Sequence, residues 1–331
     1  MKIPPTYQIA PEILELIVKI DSYRLFFKDK KISEEVESNI QRISLLKSSV
    51  YSARIEGNPL TLDDVEITRN KQKKIEIYNI FDVVQLLNRT VQPDKKLDLK
   101  TIKDIHSQVM KNLTPDTGKF RKEMTAIFNQ AGVVIYTTPP PEKISTLLTQ
   151  LFQYVNSKNE KFPLITAFIS HLIFEKIHPF LDGNGRVGRL LIFVILKARN
   201  YDFGLFVPFE EYLDTHKSDY YYFLETGLKN TNDYLIFMLK AFLSQIEDLK
   251  SRIEIEEKKL TILSPRLEEL YNIIKDHKTV SFDFIKRRFT KIPNRTLRYD
   301  LKKLADKNLI IKIGKTKGSY YKIIIVRFMS V

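Results

Sequence analysis

The chain has 331 residues, of which 43% are hydrophobic and 28% charged, and a net charge of +14. That balance is ordinary for a globular protein of two domains. It has no cysteine, which excludes disulfides, thiol catalysis and Cys-ligated metal sites.

Residues 1–20 lack a charged start followed by a long apolar stretch, so no secretory leader is expected and a cytoplasmic protein is. The first clear element is a helix over residues 36–55, which has apolar positions at helical spacing. Gly57, Asn58 and Pro59 stop it, and Gly57 suits the left-handed position just past the end. Glu56 then lies at the negative end of the helix dipole, where a carboxylate is disfavoured unless a cation meets it. A solvated surface glutamate is the plain alternative.

Residues 125–128 and 133–137 are β-prone and flank Asn129-Gln130-Ala131-Gly132, which predicts a hairpin ended by Pro139-Pro140-Pro141. Residues 164–177 and 190–196 are apolar and predict two buried helices around a Gly-Asn-Gly turn. The second run is too short to cross a bilayer. His171, seven residues before His178 on the same face, reads as a core histidine, and so does His106. A tyrosine cluster, Tyr220-Tyr221-Tyr222, follows at the end of His216-Lys217-Ser218-Asp219.

Residues 246–260 form a Glu- and Lys-rich helical connector without Pro or Gly. Residues 262–331 hold 17 Lys+Arg against 6 Asp+Glu, so most of the positive charge sits there and marks a separate unit. Ser264-Pro265 starts a helix, Ser281 caps a second, and Asn294 caps a third through Lys307 with Leu297, Leu301 and Leu304 on one face. Strands over 309–313 and 319–325 follow, about a Gly314–Gly318 turn. This is the order of a winged helix. Arg295, Arg298, Lys302 and Lys303 point away from the leucines and could enter a major groove, with Lys315 and Lys317 on phosphates. A basic winged helix used for protein contacts or dimerisation accounts for the same residues.

The densest chemistry lies in His178-Pro179-Phe180-Leu181-Asp182-Gly183-Asn184-Gly185-Arg186-Val187-Gly188-Arg189. Gly183 and Gly185 expose bare amides, and a helix beginning near Gly185 aims its positive end at the turn, which makes an anion site. Arg186 and Arg189 crowd that same positive end. A nucleotide polyphosphate would relieve the conflict. His178 can take a proton from a hydroxyl near pH 7, and a lone Asp182 suits Mg²⁺ among phosphates. Phosphoryl or nucleotidyl transfer to a hydroxyl follows. A P-loop is absent from the sequence.

The run resembles the Fic family signature HPFxDGNGRxxR at every fixed position. The fold that the resemblance implies is mainly α, a helical bundle with a small hairpin flap. The implied activity is transfer of AMP from ATP to a Tyr, Thr or Ser hydroxyl of a target protein, self-modification included. It makes His178 the general base and Asp182 the Mg²⁺ ligand, and Gly183, Asn184, Gly185, Arg186, Gly188 and Arg189 the ATP-binding run. It makes Ile135, Tyr136 and Thr137 the flap edge that docks the target by strand addition. Tyr221 is the first choice for the adenine face and Tyr220 the second.

Ser52-Ala53-Arg54-Ile55-Glu56-Gly57 likewise resembles the family's inhibitory motif [S/T]xxxE[G/N]. That implies Glu56 pairing with Arg189, supported by Ser52 as a hydrogen-bond donor, and blocking part of the ATP site. Relatives of this kind leave room for a homodimer, for AMP removal or transfer of another phosphate group, and for a DNA-binding regulator that only senses nucleotide. The expected layout is an N-terminal helical region over 1–90 with the inhibitory motif, a catalytic core over 91–245, the connector over 246–261 and the winged helix over 262–331.

Overall fold

The computed structural model describes residues 1–67, 70–128, 134–261, 263–307, 309–314 and 319–323. The chain divides into two compact units, Met1–Ile253 and Glu254–Val331. The division falls inside the stretch read as a connector.

The first unit is helical. In order it holds α1 (Pro11–Asp29), α2 (Glu34–Ile55), the short α3 (Asp64–Ile67), α4 (Lys71–Thr90) and α5 (Leu99–Val109). The hairpin β1 (Ala126–Phe128) and β2 (Val134–Thr137) comes next, followed by α6 (Pro141–Ser157), α7 (Pro163–Ile177) and α8 (Asn184–Ala198). Then come α9 (Glu210–Thr215), α10 (Lys217–Thr226) and α11 (Thr231–Thr261), the last running into the second unit. Among the described residues no helix is long and apolar enough to cross a membrane.

Helix α7 is the axis of this unit. Every residue from Leu164 to Ile177 is buried, as expected of a helix that is apolar all round. Its hydroxyls are satisfied within the helix: Thr166 Oγ1 donates to Phe162 O and Ser170 Oγ to Thr166 O. Phe168 and Phe174 are fully buried, and cutting either back to alanine costs about 3–5 kcal/mol. Helix α8 packs along α7, with α6, α2 and α5 around the pair. Burial of α7 therefore fixes where its C-terminus, and the loop after it, emerge.

Residues 1–32, on which the sequence is silent, are part of this unit. Ile13, Leu16, Ile17 and Ile20 of α1 are buried. The main chain of Gln8 exchanges two hydrogen bonds with the Asn232 side chain at the start of α11.

Helix α2 ends as its sequence predicts. Gly57 has φ 95°, its N–H donates to Arg54 O, and the N–H of Asn58 donates to Ala53 O. Two carbonyls at the helix end are thereby satisfied in a Schellman turn. That turn leaves Glu56 at the C-cap, one residue past Ile55.

The second unit runs α12 (Pro265–His277), β3 (Thr279–Ser281), α13 (Phe282–Arg288), α14 (Asn294–Asp306), β4 (Ile310–Ile313) and β5 (Tyr320–Ile323). The three strands form an antiparallel sheet in the order β3-β5-β4. Leu270, Ile274, Ile285, Leu297, Leu301 and Leu304 are among its core residues. Ser281 caps α13 by accepting from Phe284 N–H. Two details differ from the sequence reading. Strand β3 is three residues long, too short to show alternation. Asn294 is the first residue of α14 rather than its cap, because Pro293 holds the extended position before it. Lys315 and Lys317 lie outside the described residues.

Candidate active site

The site loop begins where α7 stops. His178 takes the left-handed conformation, φ 49°, one residue past the helix, and a non-glycine residue holds that shape only when its surroundings impose it. The loop that follows is tied from both ends. Asn184 Oδ1 accepts from Phe180 N–H at 2.9 Å, and Asn184 Nδ2 donates to Phe180 O at 2.8 Å. Gly183 then turns the chain at φ 81° into α8, and a Cβ there would come within 2.7 Å of Met110 Sδ.

Beneath the loop lies His106, 2% exposed and stacked on Phe180 with ring centroids 3.7 Å apart. Its Nδ1 accepts from Gly118 N–H at 2.8 Å, so Nε2 carries the proton and donates to Asp182 O at 3.0 Å. His106 is buried as expected, and it also holds the main chain of the site loop in place.

The His178 ring is set by Glu175 O, which lies 3.3 Å from Nδ1. With the proton on Nδ1, the lone pair sits on Nε2. Burial lowers the His178 pKa, with smaller opposing effects from Glu175 O and the Glu56 charge. The ring is therefore neutral at pH 7, which is what a general base needs.

The two arginines of the loop are buried, not surface groups. Arg186, 4% exposed, donates from Nη1 to Glu76 Oε1 at 2.7 Å and from Nη2 to Asp182 Oδ1 at 2.8 Å. Glu76 is itself held by Asn58 Nδ2 at 2.8 Å. Arg189, 1% exposed, donates from Nη2 to Glu56 Oε1 at 2.9 Å and to Ser52 O at 2.8 Å, and from Nε to Ser52 Oγ at 3.0 Å. In its bond to Arg189, Ser52 is the acceptor rather than the expected donor, because a guanidinium has only N–H groups to offer.

The Glu56 carboxylate also lies over the start of α8: a Cβ on Gly185 would come within 2.2 Å of Glu56 Oε1 and 3.0 Å of Arg189 Nη1. A carboxylate at the positive end of a helix, on a buried arginine, is favourable on both counts. Glu56, Gln72, Lys73, Glu76, Leu113, Asp182 and Arg186 line an open cleft on this side.

Around Arg189 lies a second set of buried groups. His171 is fully buried, bonds Tyr220 Oη through Nε2 at 2.8 Å, and burial pushes its pKa down to about 3. Burial, reinforced by the Glu56 charge, pushes Glu175 up to about 8. Burial pushes Glu210 up to about 7. Gly188 belongs to this set. A Cβ there would meet Glu175 Oε1 at 2.1 Å and His171 Nδ1 at 3.0 Å, so its place is at the contact between α7 and α8 and not in the cleft lined by Glu56 and Arg186. Tyr220, 1% exposed and bonded to His171, is packed as a core residue. Tyr221 is 38% exposed, and its hydroxyl donates to Ile55 O at 3.0 Å, beside the end of α2.

The hairpin forms as an antiparallel pair with Ile127 opposite Tyr136 and Ala126 opposite Thr137. Asn129–Gly132 and the side chain of Ile135 lie outside the described residues. Tyr136 packs on Lys176, whose Nζ stands 4.4 Å from the ring centroid and which also donates to Glu225 O. Thr137 is exposed at the strand edge. Thr138 closes the base of the hairpin, donating from its main-chain N and from Oγ1 to Thr125 O.

Glu76 and Arg121 are absent from the sequence reading. Both act through partners more than 50 residues away, Glu76 on Arg186 and Arg121 on His178, and neither belongs to a local motif. Asn58, read only as a helix stop, also holds Glu76.

Residues 96–196 match the Fic/DOC family model. That span is similar to a Fic domain. The matched span includes the whole loop from His178 to Arg189, while Glu56 and Glu76 lie before it. The chain is 25% identical over 244 residues to the protein adenylyltransferase Fic of Drosophila virilis, covering 68% of this chain and 47% of that protein. The Drosophila grimshawi protein of the same name is 27% identical over 200 residues, covering 57% of this chain and 38% of the relative. The chain thus spans about half the length, or less, of these curated relatives.

Among solved structures, a Fic family protein from Desulfovibrio desulfuricans G20 superposes with a TM-score of 0.67 at 22% identity, over 98% of this chain and 99% of the other. Fic-1 from C. elegans (residues 134–508) superposes with a TM-score of 0.61 at 20% identity, over 74% and 73%. At those identities the likeness is one of fold, and it is the mainly helical fold that the Fic resemblance implies.

Proposed function

We propose that this protein is an adenylyltransferase that moves AMP from ATP to a Tyr, Thr or Ser hydroxyl of a target protein, and that Glu56 holds it inactive. The observation that carries the reading is the Glu56 seat. A carboxylate of the chain lies where the positive start of α8 meets a buried arginine, as a phosphate oxygen would. The adenylyltransferase names of the relatives support the same activity.

The target hydroxyl oxygen attacks the α-phosphorus of ATP, and the bond from that phosphorus to the bridging oxygen breaks. Pyrophosphate leaves, and the hydroxyl proton passes to His178 Nε2. His178 holds the imidazole ready through Nδ1–H on Glu175 O. The Gly183–Gly185 amides and the α8 dipole stabilise charge on the phosphates. Arg186 and Arg189 bind the β- and γ-phosphates once Glu76 and Glu56 release them.

The donors present suit Mg²⁺. Asp182 is one carboxylate with 65% of its side chain exposed at the cleft, and Mg²⁺ among phosphates needs only one or two. Asp182 would hold the ion, which supplies charge neutralisation on the phosphates. Tyr221 is the aromatic face available to adenine, and the flap edge at Tyr136 and Thr137 is where an extended target segment adds as a strand. Incubation with α-labelled ATP tests the activity. Label should appear on self or lysate protein with Glu56→Gly and vanish when His178→Ala is added.

The second unit supports a separate reading as a winged helix that binds DNA. Lys286, Arg287, Arg288, Lys291, Arg295, Lys302 and Lys303 are exposed on and around α13 and α14. Arg298 is partly spent, its guanidinium stacked 3.9 Å from the Phe282 ring centroid. A face of this charge makes phosphate contacts without sequence readout.

A further inference from the structure

We infer that Arg121 is a positioning residue for the transfer step, setting the flap and His178 at a fixed distance from each other. The inference rests on the proposed reading, in which the flap presents the hydroxyl and His178 takes its proton.

Arg121 lies on the segment between α5 and β1 and is 3% exposed. Among the described residues its guanidinium bonds only main-chain carbonyls. Nε donates to His178 O at 2.8 Å, Nη2 to Pro139 O at 2.6 Å and Ile177 O at 3.3 Å, and Nη1 to Glu123 O at 2.7 Å. Its own N–H donates to Pro179 O at 2.9 Å.

These acceptors belong to two structures. Ile177, His178 and Pro179 are the end of α7 and the start of the site loop. Glu123 precedes β1 and Pro139 follows β2, so they are the two stems of the flap. One planar, charged group therefore joins both flap stems to the backbone of the general base.

The chemistry suits the task. Carbonyls at the end of α7 are the negative pole of a buried helix, and a cation there is favourable. Holding His178 O also holds the left-handed turn of His178, and with it the direction in which the imidazole leaves the chain. Only arginine has N–H groups spread across a rigid plane to reach four carbonyls at once. A lysine ammonium brings the same charge to one point.

Arg121 does not touch the nucleotide cleft, so its loss should leave ATP binding and remove alignment. Arg121→Lys and Arg121→Gln are made in the Glu56→Gly protein. Turnover with α-labelled ATP should fall on the order of 100-fold, while the heat of Mg-ATP binding stays near that of the parent. Amide hydrogen exchange should rise together in residues 123–128 with 134–139 and in residues 177–182. Lysine, despite its charge, should not rescue.

Unchanged turnover, or turnover and ATP binding lost in parallel, would overturn the inference. So would faster exchange in only one of the two segments. Arg121→Lys keeps the stem and the charge, so it remains a test if Arg121→Gln does not fold. If the Glu56→Gly parent itself transfers no AMP, the proposed reading fails, and the exchange measurement still decides whether Arg121 couples the flap to the site loop.

Discussion

Glu56 and Gly185 fit each other: the carboxylate stands so close to the glycine that any side chain at 185 would collide with Oε1, at 2.2 Å for a Cβ. The turn therefore has to be bare for two reasons. Its amides are open to an anion, and the Glu56 carboxylate lies flat on it to reach Arg189.

On the proposed reading, Glu56 and ATP compete for this seat. Glu56→Gly should bind Mg-ATP more tightly than wild type by calorimetry, each tenfold change corresponding to about 1.4 kcal/mol. It should also melt lower without nucleotide, because Arg189 loses a carboxylate in a buried place. Adding Mg-ATP should raise its melting temperature more than that of wild type. Equal ATP affinity in the two proteins would remove the inhibitory role.

Arg186 is held by a second carboxylate, Glu76, which Asn58 steadies from the turn after α2. Glu76→Gln keeps the shape and removes the charge. It should raise ATP affinity and transfer less than Glu56→Gly does, since Asp182 still holds Arg186. A drop in affinity would mean that Glu76 orients Arg186 for the nucleotide instead of competing with it.

The acid side of the pH profile should report His178. Burial depresses its pKa below the usual imidazole value of about 6.5. The neutral form is the base, so the acid limb of transfer should have its midpoint below about pH 6.5. A fall already complete at pH 7 would show a base with a raised pKa and would exclude this assignment. His178→Ala should lose about 10²–10⁴-fold in rate.

Gly188→Ala should destabilise the fold by about 1–3 kcal/mol through the collision with Glu175, with little effect on ATP affinity per folded molecule. Combining it with Glu175→Ala should recover part of that loss in urea titrations. Additive losses would place the strain elsewhere.

For the second unit, binding to duplex DNA should weaken linearly in log K with log salt. Replacing Arg295 and Lys302 together by alanine should reduce the slope by about 2 if both meet phosphate. A slope near zero in wild type would leave a protein-contact role for this unit.

The sequence by itself determined α2, α7 and α8, the bare turn, His178 and the two arginines, because each is a local pattern: apolar spacing for α2, unbroken apolar runs for α7 and α8, a Gly-Asn-Gly turn, a left-handed stop at Gly57. It also posed two electrostatic conflicts, a carboxylate at a negative helix end and cations at a positive one. Only the tertiary structure decided how they resolve. Packing of α2 and α4 beside α8 brings Glu56 to Arg189 and Glu76 to Arg186, and these are contacts between residues more than 100 positions apart that no local pattern encodes. Packing likewise turned Tyr220 and Gly188 into the core and left Tyr221 partly exposed, because side chains a few residues apart on one helix face different neighbours. Arg121 shows the limit most plainly: main-chain carbonyls have no sequence signature, so a residue that acts entirely through them becomes legible only once the chain has folded.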